Sequence, residues 1–161
     1  MKGKDDIKHI LENVTDPEVP VLSVMDLGIV RDIRTSEDAV EVFITPTYTG
    51  CPAMDVISMN IRLALISYGY KNVKITQVLS PAWTTDWITE AGKQKLANYG
   101  IAPPNPKQQV CRTELFAEET VECPRCHSYH THRISEFGST ACKALYQCDE
   151  CKEPFDYFKC H

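Results

Sequence analysis

The chain has 161 residues, of which 43% are hydrophobic and 24% charged, and its formal net charge is -5. That is enough for one ordinary domain and a small second one, with the composition of a folded globular protein. The acidic balance weighs against nucleic-acid binding through a general basic surface. The sequence also has neither a signal-peptide pattern nor an apolar run long enough to span a bilayer, so a cytoplasmic protein without membrane association is expected.

Ile7, Ile10, Leu11 and Val14 recur at the spacing of one helix face. They predict a first helix that stops near Thr15, because Asp16 precedes Pro17 and is disfavoured in helical geometry. Asp16-Pro17-Glu18-Val19-Pro20 reads as a stiff connector carrying two carboxylates. Val24 to Arg34 and Ala39 to Thr45 read as the strands of a hairpin around the polar turn Thr35-Ser36-Glu37-Asp38. A second helix is expected to run to about Ser67, before Gly69, and a third strand from Asn72 to Leu79. A third helix is expected from Thr85 or Asp86 to about Tyr99, with Gly100 as its stop.

Between the hairpin and the second helix lies Thr45-Pro46-Thr47-Tyr48-Thr49-Gly50-Cys51-Pro52-Ala53-Met54. Gly50 permits a sharp turn, and Pro52 suits the first helical position, where its missing N–H costs nothing. Cys51 is therefore expected at the N-cap. Its sulfur would sit beside free backbone N–H groups at the positive end of the helix, which favours thiolate, the form that binds metals and attacks electrophiles. A small buried cap filler is the competing reading of the same position.

Ile101-Ala102-Pro103-Pro104-Asn105-Pro106 has three prolines in four positions and is expected to be an extended spacer with neither strand nor helix. It sets the expected organisation: a first domain over residues 1–100, a linker over 101–110 and a small domain over 111–161. Seven of the eight cysteines lie beyond it. In a reducing compartment, that many cysteines point to metal ligation or thiol chemistry rather than a disulfide framework.

Cys123-Pro124-Arg125-Cys126 and Cys148-Asp149-Glu150-Cys151 are two C-x-x-C pairs with 21 residues between them. Two such knuckles facing each other supply four thiolates at tetrahedral geometry, which suits zinc, with iron in the same sulfurs as the alternative. A segment of about 50 residues cannot bury an adequate core, so metal binding would supply much of its folding free energy. Tyr129 to Ile134 and Ala144 to Gln147, joined by the turn Glu136-Phe137-Gly138-Ser139-Thr140, complete the pattern of a four-cysteine zinc ribbon. Cys123-x-x-Cys126-His127 also fits a c-type haem attachment, but that reading leaves the second pair without a role and lacks an export signal. Cys111, Cys142, Cys160 and His161 are extra soft ligands. Cys142 is expected in the core, and the terminal pair exposed.

Three motifs in order, Asp16-Pro17-Glu18-Val19-Pro20, Asp26-Leu27-Gly28-Ile29-Val30 and Thr45 to Pro52, resemble the MIP18-like (DUF59) family of iron–sulfur assembly factors over about residues 5–80. Further stretches are Ser80-Pro81-Ala82-Trp83-Thr84-Thr85-Asp86-Trp87-Ile88, Phe137 to Lys143 and Pro154 to His161. With them, the whole chain resembles the family of accessory D subunits of phenylacetyl-CoA oxygenase (1,2-epoxidase) systems.

The resemblance implies a compact α+β, FSCA-type domain with helices on a small mixed sheet, followed by the ribbon. It implies that Cys51 is the reactive cysteine and that Asp16, Glu18 and Asp26 are the motif carboxylates. It further implies a non-catalytic partner of the oxygenase subunits, above all of the reductase with its flavin and [2Fe-2S] centre. Such a protein would help mature that cluster, or load iron, through a transient cluster or iron at Cys51, with the ribbon docking the client. A structural or chaperone-like subunit with no metal transfer is the alternative, and homodimerisation stays open. The residues themselves show no nucleophile–base signature, phosphate loop or dinucleotide fingerprint. Trp83 and Trp87, four apart, fit ordinary packing at a helix start better than an aromatic pocket.

Overall fold

A computed structural model describes residues 3–48, 50–104 and 120–159. The chain divides into two compact units, Met1–Gly92 and Lys93–His161.

The first unit begins with α1 (Lys4–Leu11), whose Ile7, Ile10 and Leu11 are buried. It ends sooner than the periodicity suggests. Asn13 and Val14 close tighter turns onto the carbonyls of Ile10 and Leu11. That shift places Thr15 opposite Ser23 in an isolated antiparallel bridge.

The hairpin is shorter than the sequence predicts. β1 spans Val30–Thr35 and β2 spans Ala39–Ile44, paired antiparallel. The expected start at Val24 fails because Leu27 and Gly28 donate to the carbonyls of Ser23 and Met25, winding that stretch into turns. Gly28 then takes φ 70°, a left-handed conformation that strands lack.

β2 alternates as expected, with Val40, Val42 and Ile44 buried. α2 (Ala53–Ser67) buries Ile57, Ile61 and Leu65, one inward residue per turn. Each such residue stabilises the fold by roughly 1.5–3 kcal/mol over leaving it in water. Gly69 at φ 97° ends the helix. β3 (Asn72–Gln77) returns parallel to β2, in register from Ala39–Asn72 to Ile44–Gln77. The sheet order is β1-β2-β3, a small mixed sheet with a helical crossover. The carboxyl ends of β2 and β3 therefore share the edge where the Cys51 loop begins.

The expected third helix is divided. A single 3-10 turn covers Thr85–Trp87, and α3 covers Glu90–Tyr99. Ile88 is extended (ψ 129°) and buried, and the N–H of Thr89 donates to the Asp26 carbonyl at 2.9 Å. That tertiary bond takes the place of a helical one. The Thr89 hydroxyl then accepts from the Gly92 N–H at 3.0 Å, which caps α3.

The second unit holds β4 (Ile101–Ala102), β5 (Thr131–Ser135), β6 (Lys143–Cys148) and β7 (Pro154–Phe158), in the order β4-β7-β6-β5. The β5–β6 hairpin is the expected one. β7 is an additional antiparallel strand, and β4 pairs parallel to it. Ile101 and Ala102 thus form a strand where the prolines suggested none. The rest of the spacer, from Asn105 on, and Cys111, Cys160 and His161 lie outside the described residues. The core is small: Ala102, Val121, Cys123, Ala144, Tyr146, Cys148, Phe155 and Tyr157. Tyr146 meets Tyr157 edge-on with centroids 5.4 Å apart. Two of these eight core residues are cysteines of the C-x-x-C pairs, so the core and the metal centre are one structure.

No helix among the described residues is long and apolar enough to cross a membrane.

Candidate functional site

The two knuckles repeat one geometry. The N–H of His127 donates to the Cys123 carbonyl at 2.9 Å, and that of Lys152 to the Cys148 carbonyl at 3.1 Å. The N–H of Cys123 donates to the Ser128 carbonyl at 2.9 Å, and that of Cys148 to the Glu153 carbonyl at 3.0 Å. Each loop is thereby tied at both ends, with its two sulfurs on one side.

The four sulfurs of Cys123, Cys126, Cys148 and Cys151 lie within 4.8 Å of one another. Cys123 Sγ is 3.7 Å from Cys151 Sγ, and Cys126 Sγ is 3.5 Å from Cys148 Sγ. A tetrahedral ion with metal–sulfur bonds of about 2.3 Å sets its ligands roughly 3.8 Å apart, so the tetrad fits one such ion. Among the described residues it is the one group of three or more Cys, His, Asp or Glu gathered in this way.

Proximity also sets the thiol chemistry. Backbone N–H groups of Cys151 and Glu150 hold Cys148 down, to about 7, despite burial. The Ser128 backbone N–H favours ionised Cys126, but burial and the three neighbouring thiols outweigh it and push that thiol up to about 12. Cys151 is raised too: the Glu153 N–H favours its thiolate, and burial and the thiols of Cys148 and Cys123 oppose it. One thiolate in the tetrad disfavours the next, and a bound cation removes that conflict.

Cys51 belongs to the first unit and is not one of the four cysteines of this group; it is half-buried, with a free thiol. The helix starts one residue later than expected, with Pro52 rather than Cys51 at the cap (φ -68°, ψ -21°). The difference is one of hydrogen bonding. Met54 donates to the Cys51 carbonyl at 3.3 Å, a tight first turn ahead of the regular α-helical ladder.

The carboxylates of Asp16 and Asp26 bind their own loops. Asp16, 7% exposed, accepts from the N–H groups of Glu18 and Val19 through Oδ1, at 2.7 and 3.3 Å. Asp26, 8% exposed, forms a reciprocal pair with Ser23: its Oδ2 accepts from the Ser23 N–H, and the Ser23 hydroxyl accepts from the Asp26 N–H, both at 3.0 Å. Glu18 is half-buried beside Asp16.

Three features were not visible in the sequence. Thr45, at the end of β2 where the Cys51 stretch begins, is fully buried, and its hydroxyl has no partner among the described residues. Its place in the motif was the available signal; its burial was not legible. Trp83 is buried and donates to the Leu27 carbonyl, and Arg31 lies 3.7 Å over the Trp87 ring. The two tryptophans therefore pack onto the Asp26–Val30 motif. A Cβ on Gly28 would collide with the Trp87 carbonyl, so this approach needs glycine.

Comparison with known proteins follows the same division. Residues 4–76 match the family described as iron-sulfur cluster assembly protein, and residues 107–159 match the PaaD zinc beta ribbon domain. The first unit has the fold seen in the crystal structure of a DUF59 domain from Bacillus anthracis. The TM-score is 0.55 at 24% identity, over 58% of this chain and 90% of that one. By these matches the chain is an α+β domain of the iron–sulfur cluster assembly family followed by a domain of the zinc-ribbon family.

An Fe-S protein maturation auxiliary factor of Porphyromonas gingivalis is 36% identical over 60% of this chain and 92% of its own length. An Escherichia coli K12 protein that carries the name of a 1,2-phenylacetyl-CoA epoxidase D subunit is 49% identical over 96% of this chain and 92% of its own. The chain belongs to this PaaD family.

Proposed function

We propose that this protein is an accessory, non-catalytic subunit of a cytoplasmic phenylacetyl-CoA oxygenase (epoxidase) system. It assists iron–sulfur or iron maturation of the reductase, with Cys51 as a transient ligand of the cargo. The observation that carries the reading is near-full-length similarity to an epoxidase D subunit in a chain whose first unit matches iron–sulfur assembly proteins. The ribbon tetrad takes zinc, which holds that unit folded and leaves Cys51 as the thiol for transfer.

The position of Cys51 supports transit over storage. It is half-buried at the carboxyl edge of the parallel β2–β3 pair, the side of an α/β sheet where ligands gather. Among the described residues, it belongs to no group of three ligands. A cluster bound there would need the client's cysteines as its remaining ligands, which is a route for handover. Asp16 and Asp26 act by fixing the loops, and Glu18 is the carboxylate proposed to add an oxygen ligand.

A second reading, a structural or chaperone-like subunit with no metal transfer, draws support from exposed Met59 and Leu63 on α2. Anaerobic cluster reconstitution of wild type and Cys51→Ser, assayed for iron, sulfide and zinc, separates the two. The carrier reading expects zinc in both proteins and iron with sulfide in wild type alone. It also expects a reductase short of iron and sulfide in cells carrying Cys51→Ser. A fully loaded reductase in that strain would leave the structural reading standing.

A further inference from the structure

α2 leaves an apolar stripe uncovered. Val56, Met59, Leu63 and Ile66 are 46%, 63%, 58% and 48% exposed, while Ile57, Ile61 and Leu65 of the same helix are buried. The exposed four recur at intervals of three, four and three residues, the spacing of a helix–helix seam. The stripe starts just over one turn after Cys51 and runs about 15 Å along the helix.

At its far end, Ile66 lines a cleft of about 570 Å³ together with Arg34, Arg62, Lys71, Lys74 and Glu41. Residues 1–92 carry 8 Lys and Arg against 13 Asp and Glu, so half of the cations of an acidic unit gather here. Three of them have carboxylate neighbours: Arg34 with Asp32 at 3.3 Å, Lys71 with Asp38 at 3.6 Å and Lys74 with Glu41 at 2.9 Å. Arg62, on α2 itself between Met59 and Leu63, makes no hydrogen bond or ion pair with the described residues.

We propose that this face docks an acidic amphipathic segment of the client protein. The segment lies along α2, with its apolar side chains over Val56–Ile66 and a carboxylate on Arg62. The identity of the client rests on the carrier reading above; the contact itself does not.

Charge selects the occupant. A second copy laid antiparallel on the stripe matches Val56 to Ile66 and Met59 to Leu63, but it sets Arg62 against its own counterpart. A client carboxylate at that point instead pairs with Arg62 and steers the encounter. Because the stripe leads away from Cys51, a client held on it also has its neighbouring surface at the thiol.

The test uses the full-length protein and, as probes, the purified reductase and hydroxylase components of the cognate oxygenase. The variants are Leu63→Glu, Arg62→Glu and Cys51→Ser, each checked for an unchanged melting curve. Leu63 is half-exposed or more, and Arg62 is exposed, so both variants are expected to keep the fold. The proposal expects wild type to bind one component and Leu63→Glu to weaken that binding at least tenfold. Arg62→Glu should weaken it and flatten its salt dependence, and Cys51→Ser should bind like wild type.

Equal binding by Leu63→Glu and wild type, or no binding to either component, overturns the proposal. So does a dimer in sedimentation that Leu63→Glu splits, because the face is then taken by a second copy. A Cys51→Ser strain with a fully loaded reductase, alongside lost binding in Leu63→Glu, would retire the carrier reading and keep the docking surface.

Discussion

His127 and Lys152 are equivalent residues: each follows the second cysteine of a knuckle, and each holds a left-handed backbone, at φ 62° and 64°. That conformation costs an ordinary side chain roughly 1–2 kcal/mol. It persists because it turns each loop back so that both of its sulfurs join the four-cysteine group. Lys152→Gly is therefore expected to keep metal binding and to leave stability unchanged or raise it by up to about 1 kcal/mol. Lys152→Val, β-branched at positive φ, is expected to lower it by about 2 kcal/mol or more. Thermal melts of the zinc-loaded variants give the comparison; equal loss in both would mean the backbone angle is not the cause.

The Trp83 indole N–H donates to the Leu27 carbonyl at 2.8 Å across 56 residues of sequence, inside the core. Trp83→Phe keeps an aromatic ring but leaves a buried carbonyl unpaired, at a cost of about 1–3 kcal/mol, to which the packing lost with the smaller ring adds. Urea unfolding should show a lower midpoint at an unchanged slope, the shift being that free energy divided by the slope. An unchanged midpoint would show that the bond adds nothing net.

Removing the metal should unfold the ribbon while leaving the first unit folded, since the ligands Cys123 and Cys148 are also core residues. A strong chelator, or Cys148→Ser, is expected to abolish the amide dispersion of the 120–159 region in an NMR spectrum. Signals from α2 and β2 should keep their positions. A ribbon that stays dispersed without metal would contradict this reading of its core.

Metal affinity should fall steeply with acid. In the metal-free protein, Cys126 at about 12 and raised Cys151 hold their protons at neutral pH, whereas Cys148 at about 7 is about half ionised. Binding must displace those protons. Lowering the pH therefore favours the metal-free form, and raising it favours the loaded one. With more than two protons released, the apparent affinity should change by roughly a hundredfold or more per pH unit near neutrality. Competition with a chromophoric chelator between about pH 6 and 8 measures the slope; a tenfold change per unit would indicate a single displaced proton.

What could be read from the sequence was whatever depends on local spacing. The C-x-x-C pairs, the alternation of β2 and the one-face pattern of α2 carry their own signal, and the motif order carried the family. What escaped depends on partners distant in sequence. The extended residue Ile88 interrupts a helical pattern because Thr89 bonds to Asp26. β4 is two residues long and exists only because β7, far later in the chain, pairs with it. Asp16 read as part of a connector carrying two carboxylates and Asp26 as part of a strand, yet each accepts backbone N–H from its own loop. The cap at Cys51 moved by one residue because Pro52 takes helical angles one step before the ladder begins.

The pairing of Ile101 and Ala102 with Asp156 and Tyr157 bears on how the protein can be divided. The prolines invite a cut after residue 106, but such a fragment loses the strand that covers β7. An uncovered strand edge presents a row of backbone donors and acceptors that neighbouring chains can pair with, a common origin of aggregation. A soluble ribbon fragment, or a chimera grafting this ribbon onto another assembly domain, is expected to require a junction upstream of Ile101.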